Sequence, residues 1–117
     1  MKKFFYLTTI TAVLITITSC STNQSLYSWY GYEDATYQYS KKSTEELQVK
    51  VLEQYQKITD NQKGLRKVVP PGMYAEYGYL LYKTGKTEEG LSFLKKEIEL
   101  YPESDTYISR IIKQLEK

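Results

Sequence analysis

Histidine is absent from the 117 residues, and cysteine occurs once, as Cys20. Without histidine the chain lacks the side chain that titrates nearest neutrality and most often serves as general base or metal ligand. A lone cysteine excludes an internal disulfide and the paired thiolates of zinc sites. Aspartate and glutamate are present but scattered over expected helix surfaces. A carboxylate pair for glycoside hydrolysis would need a cleft that holds two carboxyls about 5–10 Å apart, which a small bundle hardly offers. No catalytic residue, no cofactor and no metal site is expected, and the chain is not read as an enzyme. No segment alternates with a period of two, so strands are not expected either.

Charge of one sign is also lacking once the chain is read in parts. Sixteen basic and 14 acidic residues give +2 overall, but Lys2 and Lys3 precede an apolar stretch from Phe4 to Ile17 with the form of an export signal. That stretch is too short for a spanning helix, which needs about 20 apolar residues. It ends in Ile17-Thr18-Ser19-Cys20, the small-residue pattern that a lipoprotein signal peptidase cleaves before a lipid-modified cysteine. Residues 1–19 are thus expected to be removed and Cys20 to become the lipidated N-terminus. Several acyl chains anchor firmly, since each buried methylene adds about 0.8 kcal/mol. Ser21 follows the cysteine where an aspartate would favour retention at the inner membrane. The expected location is therefore the cell outer membrane, lipid-anchored and facing the periplasm. Residues 20–28 read as a lipidated polar tether and residues 29–117 as one helical domain.

Without its signal the chain has 14 residues of each charge, and the sequence pI of 8.5 counts the two discarded lysines. No basic excess is left for a nucleic-acid face, and no nucleic-acid partner is expected. Tyrosine is what the chain has in abundance: 13 copies, 12 of them after Cys20. Such rings serve equally as core and as binding surface.

The fold class reads as all-α, with about five helices after the signal. The first is short, near residues 30–40. The second covers about 44–61, with a capping box formed by Ser43 and Glu46 and an apolar stripe of Leu47, Val51, Leu52, Tyr55 and Ile58. A loop follows, in which Gly64 can end the helix and Pro70-Pro71 bars its continuation. The third helix starts near residues 71–72 and ends at Gly85. The fourth covers about 87–101 and stops at Pro102. A last helix, capped by Ser104 or Asp105, carries Ile108, Ile111, Ile112 and Leu115 on one face.

Residues 71–104 match the 34-residue tetratricopeptide pattern without a gap, at Tyr74, Tyr77, Gly78, Leu81, Gly85, Gly90, Leu94 and Pro102. Gly78 and Gly90 fall where the two helices of such a hairpin cross, and Gly85 where the chain turns. Glu97 departs from the pattern by replacing a small residue late in the second helix. Residues Tyr32–Tyr39 parallel Thr87–Leu94 as a degenerate second copy, with Ala35 as its small crossing residue. One repeat cannot bury its own apolar face, so helices 44–61 and 104–116 are expected to cap the hairpin. Repeats of this kind bind peptides or proteins in the groove lined by the first helix of each pair. In this register Ala75, Tyr79, Tyr82 and Lys83 fall on the groove side, and Tyr74, Tyr77 and Leu81 face the partner helix. Tyr79, Tyr82 and Lys83 are the candidate partner-binding residues, with core packing of the tyrosines as the alternative. Trp29 and Tyr30, together with Tyr27, form a second candidate cluster near the tether. They can dock a partner, rest at the lipid interface, or pack on the first helix.

The blocks Leu26-Tyr27-Ser28-Trp29-Tyr30-Gly31-Tyr32-Glu33 and Val69-Pro70-Pro71-Gly72-Met73-Tyr74-Ala75-Glu76-Tyr77-Gly78-Tyr79-Leu80-Leu81, with Lys96-Glu97 and Tyr101-Pro102-Glu103-Ser104, resemble a family of small bacterial lipoproteins catalogued as a domain of unknown function. Members are typically encoded beside a lipoprotein similar to the curli secretion channel. The resemblance implies a partner within an outer-membrane complex and transfers no catalytic residue. The function expected is a helical-repeat protein-interaction adaptor in a cell-envelope, secretion-related assembly. The alternative is a lipoprotein that binds cell-wall glycan through an aromatic surface.

Overall fold

The computed structural model describes residues 1–16 and 24–117. It is all-α: among the described residues there is no strand. Helix α1 covers Lys2–Thr16, and no described helix is long and apolar enough to cross a membrane. Five further helices follow: α2 Tyr32–Lys41, α3 Glu45–Asp60, α4 Met73–Lys83, α5 Thr87–Leu100 and α6 Asp105–Leu115, with one 3₁₀ turn at Pro102–Ser104.

Each of α2 to α6 packs chiefly on its sequence neighbours. The α4–α5 pair is antiparallel, because Gly78 meets Leu94 while Tyr82 meets Gly90. A Cβ on Gly78 would lie 2.6 Å from the Gly90 carbonyl oxygen, and one on Gly90 would lie 2.5 Å from that of Gly78. Two bare glycines are what let these backbones touch. Gly85, at φ +97°, makes the turn between them in a region that L side chains rarely adopt. The α2–α3 pair is antiparallel too: the Gln48 amide donates to the Tyr39 hydroxyl, and the Gly31 N–H donates to Gln54 Oε1. Ala35 is half-buried against the core, but α2 is the first helix of its hairpin. The parallel of Tyr32–Tyr39 with Thr87–Leu94 places it in a second helix instead.

The core forms where the expected stripe on α3 meets α4. Val51, Tyr55 and Ile58 are buried with Val69, Met73, Tyr77 and Leu81, and Leu94 of α5 and Ile108 of α6 are buried as well. At about 25 cal/mol per Å² of apolar surface, such burial is the main stabilising term for so small a domain. The tyrosine surplus divides between core and surface. Rings run in contact from Tyr27 through Trp29, Tyr32, Tyr55 and Tyr77 to Phe93 and Tyr74, with centroids 4.5–6.0 Å apart.

Local signals differ from the sequence reading at four points. The N-cap of α3 is Thr44, whose hydroxyl accepts from the Leu47 N–H, while Ser43 donates back to the Tyr39 carbonyl. Helix α3 ends at Asp60, before Gly64. Gly64 is small for another reason: a Cβ there would collide with Leu26 O and Tyr27 Cα, because the segment before α2 lies across it. That segment belongs to the domain from Ser25 onward, since Leu65 N–H donates to Ser25 O and Arg66 N–H to Leu26 O, both at 3.1 Å. Residues 25–28, expected as part of the tether, thus lie against the domain. Finally, Ser104 stands at the N-cap of α6, but its hydroxyl donates back to the Tyr101 carbonyl and makes no capping bond, and Asp105 accepts from the Ser109 hydroxyl.

Candidate functional site

Helices α4 and α6 leave an open groove between them, with a volume of about 560 Å³. Its α4 wall is Ala75, Glu76 and Tyr79; its α6 wall is Tyr107, Ile111, Gln114 and Leu115. Tyr79 is 45% exposed and Tyr107 67%, so both rings present apolar area to solvent. The apolar face of α6 explains how they arise: Ile108 goes to the core, and Ile111 and Leu115, one turn and two turns further, are left at the edge. A second hollow of about 630 Å³ lies between α3 and the α4–α5 turn, but polar side chains such as Glu45, Gln48, Glu53, Gln56 and Lys86 dominate its walls. The α4–α6 groove is the better binding surface.

Glu76 is the one charged side chain of this groove, and it is held in place. The hydroxyls of Tyr32, from α2, and Tyr55, from α3, each donate to Glu76 Oε2 at 2.8 Å. Two phenols with poor rotameric freedom thus fix a carboxylate that would otherwise swing in solvent. Burial, then the hydrogen bond and charge of Glu76, push the Tyr32 hydroxyl up to about 12. Burial also raises Tyr55, with the same carboxylate adding to the effect.

Of the residues singled out in the sequence, Tyr79 and Ala75 do line the groove. Tyr82 is next to it but half-buried, with its hydroxyl donating to Leu115 O at 2.7 Å, so it ties the end of α6 to α4. Lys83 is exposed at the end of α4 and is not part of the groove wall. Tyr77 and Leu81 are buried toward α5 and α3, as their register requires, and Tyr74 stacks on Phe93. Trp29 and Tyr30 lie away from the groove. Trp29 packs between the Tyr27 and Tyr32 rings. Tyr30 adopts φ +50° and donates its hydroxyl to the Asn61 carbonyl at the end of α3. Cys20, the expected lipidation residue, lies outside the described residues.

Sequence reasoning missed Glu76 and Tyr107. Glu76 is one residue after Ala75 and three before Tyr79, so the repeat register already placed it near the groove side. Its role depends on hydroxyls from two other helices, which no local spacing signals. Tyr107 directly precedes the Ile108 stripe and reads as an exposed flank. In the repeat pattern Glu97 reads only as a misfit. It is 2% exposed, and its Oε1 accepts from the Gly72 N–H at 2.6 Å, at the first turn of α4. Its Oε2 has no hydrogen-bond partner among the described residues. The carboxylate thus works as a cap supplied from α5, where a helix N-terminus favours negative charge.

Residues 26–111 match the family model described as Domain of unknown function (DUF4810). No curated protein and no solved structure matches the chain. The matched span includes the segment pinned over Gly64, all of α2 to α5 and most of α6, and the chain belongs to this family.

Proposed function

We propose that the mature chain is an outer-membrane lipoprotein, anchored through Cys20 and facing the periplasm, that acts as a helical-repeat adaptor in a cell-envelope assembly. The observation that carries this reading is the α4–α6 groove, an apolar, aromatic-walled surface on a domain with no catalytic constellation in its sequence. Consecutive antiparallel hairpins, the Gly78–Gly90 crossing and the Gly85 turn support the tetratricopeptide-like part. In that arrangement α4 and α6 are the first helices of adjoining units, which is where such repeats take their peptides. The anchoring part rests on the Lys2–Cys20 segment, and the partner, a lipoprotein similar to the curli secretion channel, on the family resemblance.

The test is affinity purification from detergent-solubilised membranes, with three chains side by side. The unaltered protein should retain a stoichiometric envelope partner, and Tyr79→Ala should lose it without losing helicity. Cys20→Ala, still exported, should fold and yet fail to sustain the assembly in cells. Equal recovery with Tyr79→Ala would remove the groove from the account. The glycan-binding alternative has the exposed aromatic rings in its favour. Sedimentation with purified peptidoglycan separates the two, because the adaptor should stay in the supernatant.

A further inference from the structure

We infer that the α4–α6 groove is built for a polypeptide segment that presents a lysine beside an aliphatic side chain, with the ammonium received by Glu76 Oε1. This rests on the groove being the binding surface and adds what it selects. Glu76 supplies the only charge in the groove wall. Among the described residues the ion pair present is Lys50–Glu46, on the surface of α3, so Glu76 has no cation of its own. An acidic segment would meet that carboxylate without compensation, and an entirely apolar one would leave it facing a dry contact, which is costly for a charge.

Lysine follows from how the carboxylate is held. A carboxylate oxygen accepts along two lone-pair directions. On Glu76 Oε2 both are taken, by the hydroxyls of Tyr32 and Tyr55 at 2.8 Å each. Only Oε1 is left to accept from outside. Arginine owes its usual advantage to a fork that engages both carboxylate oxygens, and here one tine finds its oxygen already saturated. An ammonium is a point donor and needs one oxygen only. Its alkyl stem can lie along the Tyr79 and Tyr107 rings, which also offer cation–π attraction. The neighbouring Ile111 and Leu115 then supply area for the aliphatic residue. A volume of about 560 Å³ accommodates side chains of this size.

The experiment uses the full chain in detergent micelles and four acetylated, amidated pentapeptides, Gly-Leu-Xaa-Leu-Gly, in which Xaa is lysine, arginine, glutamine or glutamate. Binding is read from the NMR shifts of tyrosine ring and isoleucine methyl groups, followed as peptide is added. The lysine peptide should shift Tyr79, Tyr107 and Ile111 and bind roughly tenfold tighter than the glutamine peptide. Arginine should bind no tighter than lysine, and glutamate weakest. Glu76→Gln, whose amide oxygen still accepts both phenols, should erase the lysine advantage while the glutamine peptide binds as before. Equal affinity for lysine and glutamine, a clear preference for arginine, or an unchanged lysine advantage in Glu76→Gln overturns the inference while leaving the groove as a binding surface. If no peptide shifts these residues, or if Tyr79 and Tyr107 broaden with protein concentration alone, the groove reading itself fails and the inference with it.

Discussion

Replacing Gly78 by alanine adds a Cβ 2.6 Å from the Gly90 carbonyl oxygen and 2.9 Å from the Leu94 nitrogen. Both are backbone atoms of α5, so neither can rotate out of the way. Ordinary contact begins near 3.4 Å, and the helices must part by about 0.8 Å at the crossing. Tyr77, Leu81 and Leu94 are buried beside that crossing and would lose contact along with it. Overpacking of this kind costs about 1–3 kcal/mol, against a gain of about 1 kcal/mol for alanine over glycine within a helix. The net expectation is a loss of about 0–2 kcal/mol, or up to roughly 16 °C in Tm for a domain of this length. Urea and thermal denaturation followed by circular dichroism would measure it, with Ser92→Ala on the exposed face of α5 as a neutral control. Gly90→Ala should cost a similar amount. The double variant should cost less than the two together, because the first substitution already opens the contact the second needs. A stabilised Gly78→Ala, or simple additivity, would refute the close crossing.

Three further outcomes follow from individual contacts. Glu97→Ala would restore the small residue of the repeat pattern, yet it should destabilise by about 1–2 kcal/mol because the Gly72 N–H loses a charge-assisted bond; a rise in Tm would mean that the half-satisfied carboxylate is a net cost. Gly64→Ala should push the Ser25–Ser28 segment off the loop and lose about 2 kcal/mol with the backbone bonds to Ser25 and Leu26, which faster proteolysis near residue 27 would report. On alkaline titration followed at 295 nm, Tyr32 should ionise near 12, where burial and then Glu76 have pushed it, and Glu76→Gln should bring it down. Because the folded state holds this proton more tightly, its contribution to stability should be level below about pH 10 and fall as pH rises through 12; a Tyr32 midpoint unmoved by Glu76→Gln would contradict the action of the Glu76 charge on that hydroxyl.

Much of this fold was legible because it depends on periodicity. The Val51, Tyr55 and Ile58 stripe, the paired Gly78 and Gly90 and the turn at Gly85 each follow from one helix or one hairpin. The groove position of Ala75 and Tyr79 followed from the same register. What escaped reading depends on meetings between distant segments. Gly64 resembles a helix terminator until the chain before α2 is laid over it. Glu97 resembles a misfit until the Pro70-Pro71-Gly72 loop brings an orphan N–H to it. Glu76 is an ordinary helix glutamate until Tyr32 and Tyr55 arrive from two other helices. Ser43 has the capping-box spacing to Glu46, but its hydroxyl is taken instead by the last turn of α2, through the Tyr39 carbonyl, and Thr44 caps α3. Tyr82 lies in the same register as Tyr79, but its hydroxyl reaches the Leu115 carbonyl at the end of α6 and so serves the fold.

The most direct test of the adaptor reading is site-specific photo-crosslinking in intact cells, with a benzophenone side chain placed singly at Tyr79, Tyr107 or Val49. All three positions are exposed; the first two line the α4–α6 groove, and Val49 lines the polar hollow by α3. The account predicts one discrete adduct with an envelope polypeptide from Tyr79 and from Tyr107, and none from Val49. Adducts from Val49 alone, or equally from all three positions, would contradict it.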